Sequence, residues 1–217
     1  MYFCSWTNDR KMRKITSALR MVHIANVPHI LQYGIVRKDS PYANPDYVPI
    51  GDVSVIGTRR DRALADGSLL SDYIPFYFGP RSPMLYVIQH GFNNVKRQNP
   101  EDIVYCVILL KDLMKSDIDC IFSDGHALNA MTQFYEKDKL KNIENLVYYT
   151  DVYERNWNPQ DFGDETKRKK EAELLVKDDI PVEMIRGFVV FNQSSKEKLL
   201  SWGASENLIF IMPDFYY

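Results

Sequence analysis

Apolar and polar residues follow one another in short blocks that predict a mixture of strands and helices. Runs rich in β-branched and aromatic residues are typical of buried strands. Such runs predict strands at residues 20–24, 102–110, 118–122, 186–192 and 207–212. Helical spacing beside turn residues predicts helices at 27–33, 80–89, 127–136 and 194–202. The strands are concentrated in the second half without a linker or repeat, so we expect a single α+β domain over residues 1–217.

Capping residues suggest where two of these helices begin and end. Asn26 can cap the helix at 27–33, with Pro28 in its first turn and Gly34 at its C-terminal end. Ser194 or Ser195 can cap the helix at 194–202. Both helices are therefore expected to be short and sharply bounded.

Four segments carry mixed signals. Residues 10–20 are basic with weak helical periodicity, which fits either a solvated helix face or a phosphate contact. Residues 38–72 are irregular and rich in Pro, Gly, Asp and Ser, and a loop of that length favours a functional role. Residues 73–78 are aromatic and strand-like, but Pro75 favours an edge or irregular strand. Residues 167–177 fit either a helix or a strand.

Composition excludes some classes of protein but does not select a function. The 217 residues are 45% hydrophobic and 26% charged, with a net charge of -2, as in ordinary globular domains. No apolar stretch approaches the ~20 residues that cross a bilayer, and residues 1–20 lack the apolar run of a secretory signal. We therefore expect a cytoplasmic protein with no membrane contact. A local basic patch can bind a nucleic acid at this net charge.

Several common catalytic motifs are missing from the chain. It has no GxxxxGK[ST] or GxGxxG loop, no GxSxG elbow and no HExxH pair. The cysteines and histidines do not stand at metal-ligand spacing, and Cys106 and Cys120 lie in apolar runs typical of core residues. A mechanism without a metal is therefore favoured.

Four segments in order resemble the DarT family, the toxin half of a toxin–antitoxin pair. They are HIANVPHILQYG at 23–34, IGDVSVIGTRR at 50–60, DYIPFYFGPRSPMLY at 72–86 and KRKKEAELLV at 167–176. FSDGHA at 122–127 is a smaller match. The third segment is long and unusual, and the ordered set covers most of the chain. Two departures are LeuLeu where the family often has PheLeu after the glutamate, and a glycine-rich segment shortened to residues 66–68.

The resemblance implies a fold, a reaction and partners. The fold is that of ADP-ribosyltransferases: a split, mostly antiparallel sheet with flanking helices and a cleft for NAD⁺. The enzyme would use NAD⁺ as co-substrate, without a metal, to attach ADP-ribose to a base of single-stranded DNA, with thymidine favoured over guanosine. An antitoxin with macrodomain-type ADP-ribosylglycohydrolase activity is the implied partner. The alternatives are a transferase acting on RNA or protein, and an inactive nucleic-acid-binding module.

The implied reaction requires two charged groups, a carboxylate and a cation, and the sequence offers candidates for both. Cleavage of the nicotinamide–ribose bond develops positive charge at the anomeric carbon, and a preorganised carboxylate stabilises that charge. Glu173 is the candidate because AELLV matches the family's AEFLV; Glu171, two residues earlier, would face the same side of an extended stretch. A fixed cation is the second demand. The resemblance places it at Arg59 or Arg60, and the spacing after Gly51 favours Arg59.

The resemblance also assigns candidates to the two substrates. For NAD⁺ they are His23, Asn26, Gly34, Ile35, Arg59, Tyr73, Phe76 and Tyr77, although only alternate residues of a strand can face one pocket. For DNA they are Arg81, Met84, His126, Lys167 and Arg168. Without the resemblance, a core role for His23 and the strand aromatics, and a solvated face for the basic run, would be the ordinary interpretations.

Overall fold

A computed structural model describes residues 14–158, 160 and 163–217, and its strands form one large sheet. The strands are β1 (Ser17–His23), β2 (Ile74–Tyr77), β3 (Ile103–Leu109), β4 (Cys120–Ser123), β5 (Phe134–Glu136), β6 (Glu173–Val176), β7 (Ile185–Val190) and β8 (Ile209–Ile211). Their order is β5-β4-β6-β2-β1-β3-β7-β8. Within the described residues β7 and β8 pair in parallel and the other neighbours are antiparallel.

Helices flank this sheet and are mostly short. In the part of the chain that the structure describes they are α1 (Val27–Tyr33), α2 (Val53–Asp61), α3 (Pro83–His90), α4 (Leu110–Lys115), α5 (Tyr149–Val152), α6 (Asp164–Lys170) and α7 (Gln193–Ser201). Several 3₁₀ segments connect the elements; most are single turns, and one covers Lys137–Asn145. The predicted fold class, α+β with a mostly antiparallel sheet and flanking helices, is confirmed.

Strand β3 shows how the sheet is buried on both faces. Val104, Cys106 and Ile108 pack in one hydrophobic cluster, whereas Ile103, Tyr105 and Val107 pack in a second cluster. Successive side chains of a strand point to opposite faces, so the two clusters lie on opposite sides of the sheet. This explains why the segment is apolar throughout rather than at alternate positions. Cys106 and Cys120 are buried, as predicted, and Cys4 lies outside the described residues.

The edge position predicted for β2 is wrong, but its pairing is irregular, the other alternative that the sequence offered. This strand is an inner strand that pairs with β6 over four register positions and with β1 at Leu19–Tyr77. Pro75 is tolerated because β1 and β2 diverge there. The Pro75 carbonyl accepts a hydrogen bond from Arg20 Nη1 at 2.9 Å, so this side of the backbone needs no N–H donor. The divergence is the split in the sheet.

Other local predictions also need correction. The predicted helix at 127–136 is a series of turns followed by β5, and residues 17–20 form the start of β1 rather than a basic helix. Residues 10–13 lie outside the described residues. The segment 167–177 contains both alternatives, the end of α6 and then β6. Helix α7 is capped by the Asn192 side chain, which accepts a hydrogen bond from the Ser195 N–H at 3.0 Å.

None of the helices in residues 14–158 and 163–217 is long and apolar enough to cross a membrane.

Candidate active site

A buried carboxylate stands at the first position of β6. The side chain of Glu173 is 2% exposed. Its Oε2 accepts a hydrogen bond from Arg59 Nη1 at 2.9 Å, and its Oε1 accepts one from the backbone N–H of Ala127 at 3.1 Å. Because each oxygen has its own donor, charge-assisted hydrogen bonds hold the carboxylate in one orientation.

The turn that follows β4 positions Glu173. Ser123 Oγ accepts a hydrogen bond from the Glu173 N–H at 3.1 Å and donates one to the Gly125 carbonyl at 2.7 Å. Because β4 and β6 are paired, this turn lies over the start of β6 and carries the Ala127 N–H to the carboxylate. The FSDGHA segment therefore contributes backbone geometry to the site.

Arg59 reaches Glu173 from α2, a helix that the sequence pattern does not predict. Asp52 caps α2 by accepting a hydrogen bond from the Ser54 N–H at 2.8 Å. The Arg59 side chain is 12% exposed, and its Nη2 is buried with no hydrogen-bond partner among the described residues. Successive helical residues point about 100° apart, and Arg60 is exposed. Of the two arginine candidates, Arg59 is the one in contact with the carboxylate.

Two titratable rings lie near this ion pair. Tyr77 stands opposite Glu173 in the β2–β6 register. Burial, followed by the negative charge of Glu173, raises the pKa of the Tyr77 phenol, which therefore stays protonated. Burial lowers the pKa of the His126 imidazole below 6.5, although the charge of Glu173 partly opposes the shift. His126 is therefore neutral at pH 7.

His23 and Asn26 hold the beginning of the α1 segment. His23 is half-buried, and its Nδ1 accepts a hydrogen bond from the Ala25 N–H at 3.1 Å. Asn26 is buried; its Nδ2 donates to the Val48 carbonyl at 2.8 Å and its Oδ1 accepts from the Val48 N–H at 2.9 Å. The amide thus anchors the 38–52 loop and does not cap α1, contrary to the sequence prediction.

Gly34 and Ile35 join the end of α1 to residue 180. Ile35 pairs with Ile180 through two backbone hydrogen bonds of 2.9 Å. Gly34 has φ +81°, and a Cβ there would lie 2.0 Å from the Ile180 carbonyl oxygen. A side chain at position 34 would therefore break this junction. The pair fixes the backbone beside α1.

Of the three aromatic candidates on and beside β2, the structure places one against the carboxylate. Phe76 is fully buried in the main hydrophobic cluster. Tyr73 is buried in a smaller cluster, and its hydroxyl lies 3.0 Å from Ser68 Oγ. Tyr77 is half-buried and opposes Glu173. This alternation agrees with the expectation that only some of these aromatics face one pocket.

The basic run before Glu173 divides into inward and outward side chains. The Arg168 side chain is 7% exposed and donates to Asp124 and Glu165 at 2.7–2.8 Å. Its charge is already shared by two carboxylates, which ties α6 to the turn after β4. The assignment of Arg168 to DNA stays a prediction. Gly125 is required beside it, because a Cβ there would lie 2.3 Å from Arg168 Nη1. Lys167 is half-buried.

Arg81 lies in the turn between β2 and α3, and Met84 lies in the first turn of α3. Arg81 has φ +54°, unusual for a residue with a side chain. Its Nη1 donates to the Tyr216 carbonyl at 2.8 Å, and its guanidinium lies 4.4 Å from the centre of the Tyr217 ring. Met84 is half-buried against the second hydrophobic cluster. The turn is therefore tied to the last two residues of the chain.

A family model described as "ssDNA thymidine ADP-ribosyltransferase, DarT" matches residues 19–217. The chain belongs to the DarT family. Membership confirms the function that the sequence predicts: an enzyme that transfers ADP-ribose from NAD⁺ to a base of single-stranded DNA. The family description names thymidine, the base that the sequence analysis favours.

Individual DarT relatives agree with this assignment. A DNA ADP-ribosyl transferase of Escherichia coli O127:H6 is 30% identical over 193 residues, 87% of this chain and 86% of that protein. A DNA ADP-ribosyl transferase–DNA ADP-ribosyl glycohydrolase fusion protein of Thermosipho africanus is 34% identical over 158 residues, 72% of this chain and 37% of that protein.

Solved DarT structures match the fold. Thermus sp. 2.9 DarT in complex with ADP-ribosylated ssDNA superposes with a TM-score of 0.78 at 27% identity, covering 94% of this chain and 98% of the Thermus chain. The same Thermus protein in complex with NAD⁺ gives a TM-score of 0.75 at 26% identity, covering 95% and 100% of the two chains.

Among the described residues, no cluster of three or more His, Cys, Asp or Glu side chains could hold a metal ion.

Several residues of this DarT site were missed by sequence reasoning. Lys170 is buried, and its Nζ donates to the Pro80 carbonyl at 3.2 Å and to the Val152 carbonyl at 3.1 Å; burial lowers its pKa to about 7. Burial raises the pKa of the neighbouring Glu171 to about 8. Ser123 and the Ala127 N–H position Glu173. Lys170 belongs to a charged run, and Ala127, the last residue of the FSDGHA match, acts through its backbone, so no side-chain pattern assigned a role to either residue.

Proposed function

We propose that this DarT-family enzyme modifies thymidine, with Glu173 as the catalytic carboxylate and Arg59 as its orienting cation. The supporting observation is that both oxygens of a buried carboxylate are held by fixed donors, one of which is an arginine with a spare N–H group. Such preorganisation costs no reorganisation when charge develops in the transition state.

The bond between the ribose anomeric carbon of NAD⁺ and the pyridinium nitrogen breaks, and neutral nicotinamide leaves with the bonding electron pair. The anomeric carbon becomes oxocarbenium-like. N3 of thymine, the ring nitrogen not bonded to deoxyribose, attacks this carbon and loses its proton. The products are ADP-ribosylated thymidine, nicotinamide and one proton.

Glu173 stabilises the cationic ribose in this scheme. A carboxylate already fixed in a dry position interacts more strongly with developing positive charge than water does. Glu173 holds this position through the β2–β6 pairing opposite Tyr77. The protonated phenol of Tyr77 supplies a flat wall and a hydrogen-bond donor on the same side of the site.

Arg59 supports Glu173 and also presents a donor to the incoming substrates. One guanidinium nitrogen is engaged by the carboxylate and the other, Nη2, has no described partner. A buried donor of this kind is stabilised when an acceptor arrives. A pyrophosphate oxygen of NAD⁺ or a carbonyl oxygen of the base supplies such an acceptor. An arginine is a poor base, so its role is electrostatic and orienting.

His126 is proposed to accept the N3 proton. It lies where both Glu173 and Arg59 influence its pKa, and it is neutral at pH 7. We expect His126→Asn to reduce kcat about 10²-fold. Because His126 must be unprotonated, wild-type kcat should fall as the pH drops through its pKa, below 6.5, and the variant should lose this acidic limb.

A pH profile of transfer to an oligonucleotide measures both effects. His29→Asn on α1 is the matched control, and it should keep the wild-type profile. An acidic limb that is unchanged in His126→Asn would remove His126 from the proton path.

We propose that some of the remaining NAD⁺ candidates contact the ligand directly and that the others support the pocket from behind. His23 and Tyr77 are half-buried, and their side chains are proposed to contact NAD⁺ directly. Asn26, Gly34, Ile35, Tyr73 and Phe76 are buried and hold the walls of the pocket through the backbone and core contacts described above. We propose that residues 1–217 carry out the reaction as one domain.

Thymidine specificity can be tested with a substrate panel. Purified enzyme is incubated with NAD⁺ and single-stranded oligonucleotides that contain either thymidine or guanosine as the only candidate base, and the products are weighed by mass spectrometry. RNA of matched sequence and a protein mixture are parallel arms. We expect the ADP-ribose mass increment on thymidine-containing DNA. Transfer to guanosine, RNA or protein instead would contradict the proposal.

We further propose an antitoxin that removes the modification. The Thermosipho relative joins a transferase and an ADP-ribosyl glycohydrolase in one chain. Here the matching macrodomain-type activity would be supplied by a partner, in the cytoplasm.

A further inference from the structure

Five aromatic side chains form an exposed patch at the end of α3. They are Tyr86, His90, Phe92, Trp157 and Tyr217, here called the aromatic platform. The Tyr86 ring lies 4.1 Å from His90 and 5.6 Å from Phe92, centre to centre. It also meets Trp157 at 5.5 Å and Tyr217 at 5.1 Å, edge to face. The ring planes of His90 and Phe92 are 9° from parallel. The rings thus form one continuous surface.

The outer part of this surface faces water. Phe92 is 48% exposed, and His90 is exposed, whereas Tyr86, Trp157 and Tyr217 are half-buried beneath them. Trp157 Nε1 donates to the Tyr217 hydroxyl at 2.6 Å, so the inner rings are fixed by hydrogen bonding as well as by packing. A rigid aromatic surface open to solvent suits a flat apolar ligand.

Positive charge borders the platform. The loop after α3 folds back so that the Gln98 N–H donates to the Ile88 carbonyl at 3.0 Å, and this brings Lys96 and Arg97 beside the end of α3. Both side chains are exposed, and neither forms a salt bridge to another described residue. Arg81 lies over the Tyr217 ring. Cations beside stacked rings match a chain that alternates phosphates and bases.

The backbone around the platform is held in unusual conformations. Arg81, Asn93 and Asn94, with φ of 54°, 54° and 60°, are the non-glycine residues of the described chain that have positive φ. All three flank the platform. The Tyr217 hydroxyl donates to the Arg81 carbonyl at 2.5 Å, which helps to fix that turn. Residues held in such conformations cluster at ligand-binding sites.

One turn of the chain joins the platform to the active site. Tyr77 opposes Glu173, and Arg81 follows Tyr77 by four residues, a span of at most about 14 Å. Lys170, three residues before Glu173, is hydrogen-bonded to the Pro80 carbonyl in the same turn. A strand with one base at Glu173 therefore has neighbouring nucleotides within reach of the platform.

We propose that the aromatic platform binds the bases that flank the modified thymidine by stacking, while Lys96 and Arg97 contact the adjoining phosphates. The proposal rests on DNA being the substrate of the site described above. Stacking on an aromatic ring does not distinguish strongly between bases, because every base has a π face. The platform therefore supplies affinity for a single strand and leaves the choice of the modified base to the catalytic cleft.

The test measures binding separately from chemistry. Fluorescence anisotropy without NAD⁺ gives the Kd of a labelled single-stranded oligonucleotide with one central thymidine. We expect Phe92→Ala to weaken binding about 10-fold. Trp202→Ala removes an exposed aromatic residue at the end of α7 and should bind like wild type.

A second oligonucleotide carries abasic sites on both sides of the thymidine. It should bind wild type more weakly, and Phe92→Ala should cause little further loss with it.

The phosphate contacts have their own readout. The double variant Lys96→Gln with Arg97→Gln should lower the slope of log Kd against log salt by about 1.4, since each lost contact with a single strand contributes about 0.7.

Equal Kd values for wild type and Phe92→Ala on the intact oligonucleotide would overturn the proposal, as would equal losses on the intact and abasic strands. Failure to transfer ADP-ribose to any oligonucleotide would instead contradict the proposed function, because binding is measured without NAD⁺.

Discussion

Glu173→Gln is expected to reduce ADP-ribose transfer to a thymidine oligonucleotide by about 10²- to 10³-fold. The substitution preserves shape but removes the negative charge that stabilises the ribose cation. An amide also offers a single acceptor oxygen, so either the Arg59 Nη1–H or the Ala127 N–H loses its partner. Nicotinamide release and product mass, measured in the same reaction, report the effect.

Glu171→Gln is the matched control for this prediction. Glu171 lies two residues earlier and is buried, but burial raises its pKa to about 8. It is therefore mostly protonated at pH 7, and a neutral amide imitates its native state. We expect Glu171→Gln to retain most of the activity. If Glu171→Gln were inactive and Glu173→Gln active, the catalytic role would belong to the earlier residue. Thermal denaturation of both variants shows whether either loss reflects unfolding.

The main features of the fold could be predicted because they depend on local pattern. The continuous apolar run of β3 predicts a strand buried on both faces, and the structure places it in two clusters. The ordered segments that resemble the DarT family predicted the family, which the match over residues 19–217 confirms. They also led to Glu173, which lies in contact with Arg59.

The errors arose where distant partners decide the local structure. Helix α2 has no buried residue, so it leaves no apolar stripe to detect. Strand β2 tolerates Pro75 because the Arg20 side chain, 55 residues away, occupies the gap between β1 and β2. The sequence predicts that Asn26 caps α1, but both polar atoms of its side-chain amide form hydrogen bonds with the backbone of Val48.

The roles of the basic residues at 167–170 also depend on partners that are distant in the sequence. Four consecutive cations suggest a solvated or phosphate-binding face. In the structure Arg168 and Lys170 turn inward and bind carboxylates and carbonyl groups respectively. Only the fold brings Asp124 and Pro80 to these side chains, so no spacing rule in the sequence could separate the inward residues from Lys167 and Lys169.

Arg59→Lys is expected to lower kcat/KM about 10²-fold, although it conserves the charge. Lysine lacks the planar fork with which Arg59 binds Glu173 through Nη1 and keeps Nη2 available. Loss of one hydrogen bond between charged groups costs about 1.5–3 kcal/mol, which corresponds to roughly a 10- to 150-fold change. Steady-state kinetics with NAD⁺ and with the oligonucleotide varied separately give the measurement.

Arg60→Lys provides the comparison, because Arg60 is the next residue of α2 and is exposed. Its kinetics should resemble those of wild type, and a larger loss there than in Arg59→Lys would reverse the assignment of the two arginines. The division between KM and kcat carries further information. If Arg59 Nη2 binds the pyrophosphate in the ground state, the KM for NAD⁺ rises; if it acts mainly through the orientation of Glu173, kcat falls. Since no α2 residue is fully buried and Arg59 is the residue of this helix that reaches Glu173, we expect the Arg59–Glu173 contact to hold the helix in place, and both parameters to change together.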